Sequence, residues 1–475
     1  MFDSSMTSNP EQAAPGAVVP VDASTVAAWT VALIASIRAT DEDSERIDLI
    51  AELEKLKRII GSVQADLAVD FDTSMRAKAE AQGIGKRRQG RGIDTQLGLA
   101  RMETPARAKK HLSLATVLRK EMPHAHAAFR TGAISEYGVT LLVKETACVE
   151  LDARQQIDEE IAADPEALMK MSDKQIGNRA RTRAGELDPA SVARARAKAE
   201  KDRRVSIRPA PDTMAYVTGL LPVGQGVAVI AALTKAADTL INSGDERSRG
   251  QIMADTFVQR LTGQAAASDV PVAVNLVVSD TSLLGTDNNA AHLAGHGTIP
   301  ADLARHLIAN SLDAGITTWL RKIYAGTHGG LVKMDAKART VPHGLARLLR
   351  LRDGNTCRNL WCDAPIRHID HAHGVINGGQ TTEENLQGLC EACNYAKQAP
   401  GWSATGQHPP DQRHRVTTTT PTGHHYTSTA PPLPEPARPP AHLSPVAAQF
   451  SEQIAARRRR LTIELYRGPS IDYAA

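Results

Sequence analysis

Residues 357–402 read CRNLWCDAPIRHIDHAHGVINGGQTTEENLQGLCEACNYAKQAPGW. They hold four of the chain's five cysteines, as Cys357-x4-Cys362 and Cys390-x2-Cys393 on either side of a 27-residue interval. Each pair presents two thiols from one tight turn, and two such turns close a tetrahedral four-thiolate zinc site. The competing reading is a disulfide cluster, which requires an oxidising compartment. The N-terminus, MFDSSMTSNPEQAAPG, has no basic n-region, and the apolar run Val26–Ile37 carries no cleavage signal after it and is too short to span a bilayer. The expectation is therefore a cytoplasmic protein with no membrane association and a structural zinc on Cys357, Cys362, Cys390 and Cys393. Cys148 stands apart in an apolar-periodic helix and reads as an inert core residue.

A four-thiolate zinc has no open coordination position, so chemistry must come from the residues between the cysteines. Asp370 and His371 are adjacent, and on a regular strand they would point to opposite faces. A bent or irregular backbone is expected if both serve one site. Beyond them come a Gly378-Gly379 loop, Asn385, and Asn394 directly after the last cysteine.

Taken together, Asp370-His371, Gly378-Gly379, Asn385-Leu386, Leu389-Cys390, Cys393-Asn394 and Lys397 resemble the HNH nuclease family over about 46 residues. That resemblance implies a ββα-metal fold around one catalytic divalent ion. It implies that Asp370 and Asn394 bind the ion, that His371 is the general base, and that Asn385 fixes the hairpin orienting that base. Many relatives carry His where this chain has Asn394. A neutral amide oxygen suits Mg²⁺ or Mn²⁺ better than Zn²⁺ or Ni²⁺, so the departure bears on metal choice. His368 and His373 are candidate supporting side chains. The implied reaction is hydrolysis of phosphodiester bonds in DNA by water activated at His371.

Working outward, composition alone argues against a protein that holds nucleic acid by bulk charge. The 475 residues carry 56 Lys and Arg against 53 Asp and Glu, a formal net charge of +3. With 3% aromatics, long single strands stacked on aromatic platforms are also excluded. Cations are instead clustered. Lys337, Arg339, Arg347, Arg350, Arg352 and Arg358 face the single acid Asp353, and a helix over Leu345–Arg352 would put Arg347 and Arg350 on one face. Arg347, Arg350 and Arg352, with Lys397 on the next helix, are the expected phosphate contacts. A second cluster, Arg76–Lys110, has ten cations against Glu80, Asp94 and Glu103. It contains the glycine-rich run GIGKRRQGRG, which lacks Walker spacing.

The expected organisation is an unstructured 1–24, a large helical to mixed α/β region over 25–335, a zinc-stapled module over 336–403, and a Pro/Thr/His-rich tail over 404–475. Ile47, Ile50, Leu53, Leu56, Ile59, Ile60, Val63 and Leu67 form an apolar stripe on a long helix starting near Ser44, read as core-facing. Helical patterns continue over 112–142 and 151–200, punctuated by Pro105, Pro123, Pro165 and Pro189. Strand patterns flank the Pro-Ala-Pro-Asp turn after Arg208, with a second β-rich run at Val270–Val278 and helices over 224–242 and 247–263. Hairpins are expected at Trp319–Met334 and across Arg415–Thr429, and a basic helix end at Arg457–Arg460. The fold class is thus mostly α running into α+β, with a small C-terminal ββα-metal module.

Phrases such as Arg203-Arg204-Val205-Ser206, Gly219-Leu220-Leu221-Pro222, Gly250-Gln251-Ile252-Met253-Ala254-Asp255 and Arg339-Thr340-Val341-Pro342 resemble the 13E12 repeat family over roughly residues 30–430. In that family a large domain of uncharacterised function precedes an HNH module. Two functions follow: a metal-dependent DNA endonuclease, or a non-catalytic zinc-stapled nucleic-acid-binding or regulatory protein of a mobile element.

Overall fold

The computed structural model describes residues 21–37, 42–264, 276–283, 288–293, 297–313, 341–409 and 412–432. The hairpin expected at Trp319–Met334, the cations Lys337 and Arg339, and the basic run Arg457–Arg460 lie outside the described residues.

The N-terminal part is helical: α1 (Ala23–Ile37), α2 (Asp43–Ala81), α3 (Ile93–Arg101), α4 (Pro105–Glu121), α5 (Pro123–Arg130), α6 (Glu136–Glu145), α7 (Leu151–Ala162), α8 (Pro165–Met169), α9 (Asp173–Leu187) and α10 (Pro189–Lys201). All four punctuating prolines open helices, where a missing N–H costs no intrahelical bond. Thr104, Asp164 and Asp188 cap three of these helices locally. At α5 the task passes to Asp158 of α7, whose buried carboxylate accepts the His124 and Ala125 amides at 2.8 and 2.9 Å. Burial nevertheless pushes the Asp158 carboxyl up from its ordinary value. The main core, with Leu118, Phe129, Ile134, Leu142, Ile157 and Ile176, lies among α4 to α9.

The α2 stripe departs from expectation. Leu53 and Ile59 are half-buried, and Ser62 and Val69 buried, on the side facing α4 and α5. Ile47, Ile50, Leu56, Ile60, Val63 and Leu67 are exposed. The eight apolar positions wrap around more of the helix than one packing face can cover. Cys148 also differs: it sits in a turn after α6, half-buried against the core.

Next come the antiparallel hairpin β1 (Arg204–Pro209) and β2 (Ala215–Leu220), then α11 (Val223–Asn242) and α12 (Arg249–Thr262). Of the expected run at Val270–Val278, the described part gives the short β3 (Leu276–Val277). It pairs with β4 (Ala291–Leu293), followed by β5 (Gly297–Ile299); α13 (Asp280–Leu283) and α14 (Ala301–Asp313) accompany this small sheet.

The C-terminal unit opens on α15 (His343–Arg352), whose Leu345 and Leu349 pack on Leu386. An antiparallel pair, β6 (His368–His371) and β7 (Leu386–Leu389), leads into α16 (Glu391–Lys397). A three-stranded sheet follows, with β9 (Arg415–Thr419) between β8 (Ser403–Gln407) and β10 (His425–Thr429). The Arg415–Thr429 hairpin thus forms as two paired strands. The composition change at 403/404 falls inside β8, because the strand continues the C-terminal unit while the Pro-rich sequence lies beyond it. The architecture is a mostly helical N-terminal region followed by small sheets, with four cysteines clustered in the C-terminal unit. No described helix is long and apolar enough to cross a membrane.

Candidate active site

The four cysteines meet. The Sγ atoms of Cys357, Cys362, Cys390 and Cys393 all lie within 4.8 Å of one another, buried, and none is in a disulfide. Four thiolates about 2.3 Å from a tetrahedral ion would stand about 3.8 Å apart, and the Cys362–Cys390 pair is at 3.8 Å. Cys390 caps the N-terminus of α16, its Sγ accepting the Cys393 amide at 3.4 Å. Hydrogen bonds from the other three thiols hold Cys390 well below the ordinary thiol value. The cluster has the composition and spacing of a metal site rather than of two disulfides.

This knot fixes α16 against the β6–β7 pair, and those elements carry the other expected residues. Asp370 and His371 are the last two residues of β6, which pairs one-to-one with β7. The backbone between them keeps the regular antiparallel register rather than the irregular one expected. His371 ends the strand, and its Nδ1 lies 3.9 Å from Asp370 Oδ1. The His371 ring is buried, with Nε2 2.9 Å from the Thr381 hydroxyl. Thr381, itself 6% exposed, carried no signal in the sequence; the loop returns it to the ring.

That loop is clipped by Asn385. Its Oδ1 accepts the His373 amide at 2.8 Å, and its Nδ2 donates to the carbonyls of His373 and Gln380 at 3.0 and 2.8 Å. The glycine pair has a matching cause. Gly378 has φ +90°, and a Cβ at Gly379 would collide with the His373 carbonyl. His373 is exposed, with Nε2 2.8 Å from the Asn377 carbonyl, and the exposed His368 pairs through its backbone with Leu389.

Asn394 lies on α16, which packs against β6. Its Oδ1 is buried and has no hydrogen-bond partner among the described residues. A buried amide oxygen left unmatched costs about 1–3 kcal/mol, and a divalent cation is the ligand class that such a hard, neutral oxygen suits. A carboxylate such as Asp370 and a neutral amide oxygen such as Asn394 Oδ1 are donor types that suit a hard divalent cation. Lys397, expected on a phosphate-facing surface, instead turns inward. Its Nζ lies 2.7 Å from Asp370 Oδ2 and donates to the His371 carbonyl, leaving the side chain 13% exposed.

The expected basic face on α15 is largely turned into the fold. Arg352 is buried: it donates to both Asp353 oxygens at 2.8 and 3.1 Å, to Glu383 Oε1 at 2.6 Å, and to the Glu383 and Leu386 carbonyls at 2.8 and 2.7 Å. With five bonds made inside the fold it has no donor for phosphate. Arg358 is buried as well; Nη2 donates to Ser428 O at 2.8 Å, and burial lowers its guanidinium to about 10. Arg350 donates to the Ile366 carbonyl at 2.8 Å, which leaves Arg347 as the exposed cation of α15.

A four-cysteine knot bracketing a strand pair and a helix, with Asp-His on the first strand and Asn on the helix, is the arrangement of an HNH nuclease module. The HNH endonuclease family model matches residues 357–399. A second model, the domain of unknown function DUF222, matches residues 47–353, and the chain belongs to that family, with the HNH domain following it. Neither the curated proteins nor the solved structures yield a match. The HNH domain carries a nuclease-type, metal-dependent function directed at nucleic acid.

Proposed function

We propose that the chain is a DNA endonuclease that hydrolyses phosphodiester bonds, with zinc in the four-cysteine knot and Mg²⁺ or Mn²⁺ at Asp370 and Asn394. The observation that carries this reading is the orphaned Asn394 Oδ1, buried on the helix that packs against the Asp370–His371 strand. When bound, a divalent ion there supplies stabilisation of charge on the phosphoryl and leaving oxygens. The chain's own residues do the rest. In the tautomer where His371 Nε2–H donates to Thr381, the basic lone pair is on Nδ1, the nitrogen that would take a proton from the attacking water. Asn385 keeps the 373–380 loop closed, so Thr381 stays against the ring.

The decisive experiment is supercoiled-plasmid cleavage with Mg²⁺ or Mn²⁺, comparing wild type with His371→Ala. General-base loss costs about 10²–10⁴ in rate, so nicking should drop by that factor while DNA binding persists. A wild-type protein that binds plasmid yet leaves it intact with either ion would sink the reading.

A second reading, a non-catalytic zinc-stapled nucleic-acid-binding or regulatory protein, is favoured by one contact. Lys397 Nζ already neutralises Asp370 at 2.7 Å. Under that reading Lys397→Ala changes nothing in a cleavage assay, and no metal enhances binding. Under the enzyme reading the same substitution alters the metal concentration needed for half-maximal cleavage.

A further inference from the structure

The loop joining α2 to α3, residues 82–92, is the glycine-rich run with Lys86, Arg87, Arg88 and Arg91. No acid occurs in it. All four cations are exposed, and Lys86, Arg87 and Arg88 have no ion pair among the described residues. The neighbouring cation Arg76, by contrast, is held by Asp72 at 2.8 Å. The loop is turned on itself by Arg88 N donating to Gly85 O and Arg91 N to Arg88 O, and by Gln89 Nε2 donating to Ile84 O at 3.0 Å. It is shaped, and its charges face water.

Its position gives those charges a purpose. The C-terminal end of the loop is seated on the nuclease module. Arg91 stacks over the Tyr395 ring at 5.7 Å, and Tyr395 follows Asn394 on α16. Gly92, at φ +82°, lets the backbone approach Trp402 so closely that a Cβ would lie 2.7 Å from the indole nitrogen. Gln96 of α3 hydrogen-bonds Thr422 in the turn between β9 and β10, and α3 packs on α16. The DUF222 region thus anchors a cluster of unpaired cations beside the helix that carries Asn394.

Resting on the nuclease reading above, we infer that Lys86, Arg87 and Arg88 form a phosphate-binding wall that grips duplex DNA beside the HNH site, which gives the large domain a substrate-holding role. The run Arg76–Lys110 contains no aromatic residue, so the contact is to backbone charge rather than to stacked bases. Each neutralised phosphate contributes about 0.9 to the slope of log affinity against log salt.

The test uses the full chain with Lys86, Arg87 and Arg88 all changed to Gln, and anisotropy of a labelled DNA duplex across a salt titration. The expected result is binding about tenfold weaker or more, with the salt slope reduced by about three. Lys86→Gln alone should reduce the slope by about one, which keeps the test informative if the triple variant folds poorly. A control with Lys198→Gln and Lys201→Gln on α10 should leave affinity and slope unchanged. An unchanged slope in the triple variant overturns the inference, as does a loss confined to duplex RNA. If wild type cleaves plasmid but the slope is insensitive, the wall fails while the nuclease reading stands. If the slope falls but wild type never cleaves, the wall stands and the nuclease reading fails.

Discussion

The two basic stretches of this chain have similar charge and opposite fates. In the nuclease unit, Arg352 and Arg358 are drawn inward by Asp353, Glu383 and backbone carbonyls, and work as cross-links. In the α2–α3 loop, Lys86, Arg87 and Arg88 have no acid within the loop and no ion pair among the described residues, and remain in solvent. Local charge density is thus a poor guide to a binding surface. What separates the two is whether the fold returns a carboxylate to the cation, because burying an unpaired charge is costly.

The largest effect that could break this contrast is at Arg352. Arg352→Ala strands the Asp353 and Glu383 carboxylates in the interior and should cost about 3–5 kcal/mol by denaturant unfolding. The triple Gln substitution in the loop should shift stability by no more than about 0.5 kcal/mol. Equal costs for the two would erase the distinction.

A middle-sized effect comes from His414, the buried ring beside the same cations, whose Nε2 lies 2.8 Å from Glu384 O. Burial, then the Arg352 and Arg358 charges, lower it to about 3. Between that value and about 6.5 the unfolded chain takes up a proton that the folded chain refuses. Stability should therefore fall as pH drops below about 6.5, by up to about 1.4 kcal/mol per pH unit, and be insensitive to this group above it. Melting temperatures of wild type and His414→Gln between pH 7 and pH 5 check this; parallel curves would remove His414 as the cause.

The smallest effect sharpens the comparison from the other side. Arg347, exposed on α15, should contribute within about 0.5 kcal/mol to stability, yet Arg347→Ala should lower the salt slope of DNA binding by about one. A stability loss matching that of Arg352→Ala would show it to be another cross-link.

Much of the site was legible because its signals are local. Cysteine pairs at four- and two-residue spacing, a glycine pair at a tight loop, and Asn394 beside Cys393 each act over a few positions. The misread residues depend on long returns of the chain. Arg352 meets Glu383 and Leu386 across 31 and 34 residues, and Lys397 of α16 reaches back past β7 to Asp370 on β6. Thr381 was invisible for the same reason. The α2 stripe was misread because periodicity gives the width of an apolar face but not how much of it a neighbour covers.

The Arg352–Asp353 knot also bears on where this chain can be divided. The DUF222 match ends at Asp353, yet Asp353 Oδ2 accepts the Gly388 amide at 2.9 Å inside the nuclease strand pair. Leu345 and Leu349 pack on Leu386 of that same pair. A cut at the family junction would take away the amide's partner and uncover that leucine, so a self-standing nuclease fragment has to begin ahead of α15. The helix that ends one family's match is the foundation of the other's fold, and any exchange of modules between relatives would have to carry it along.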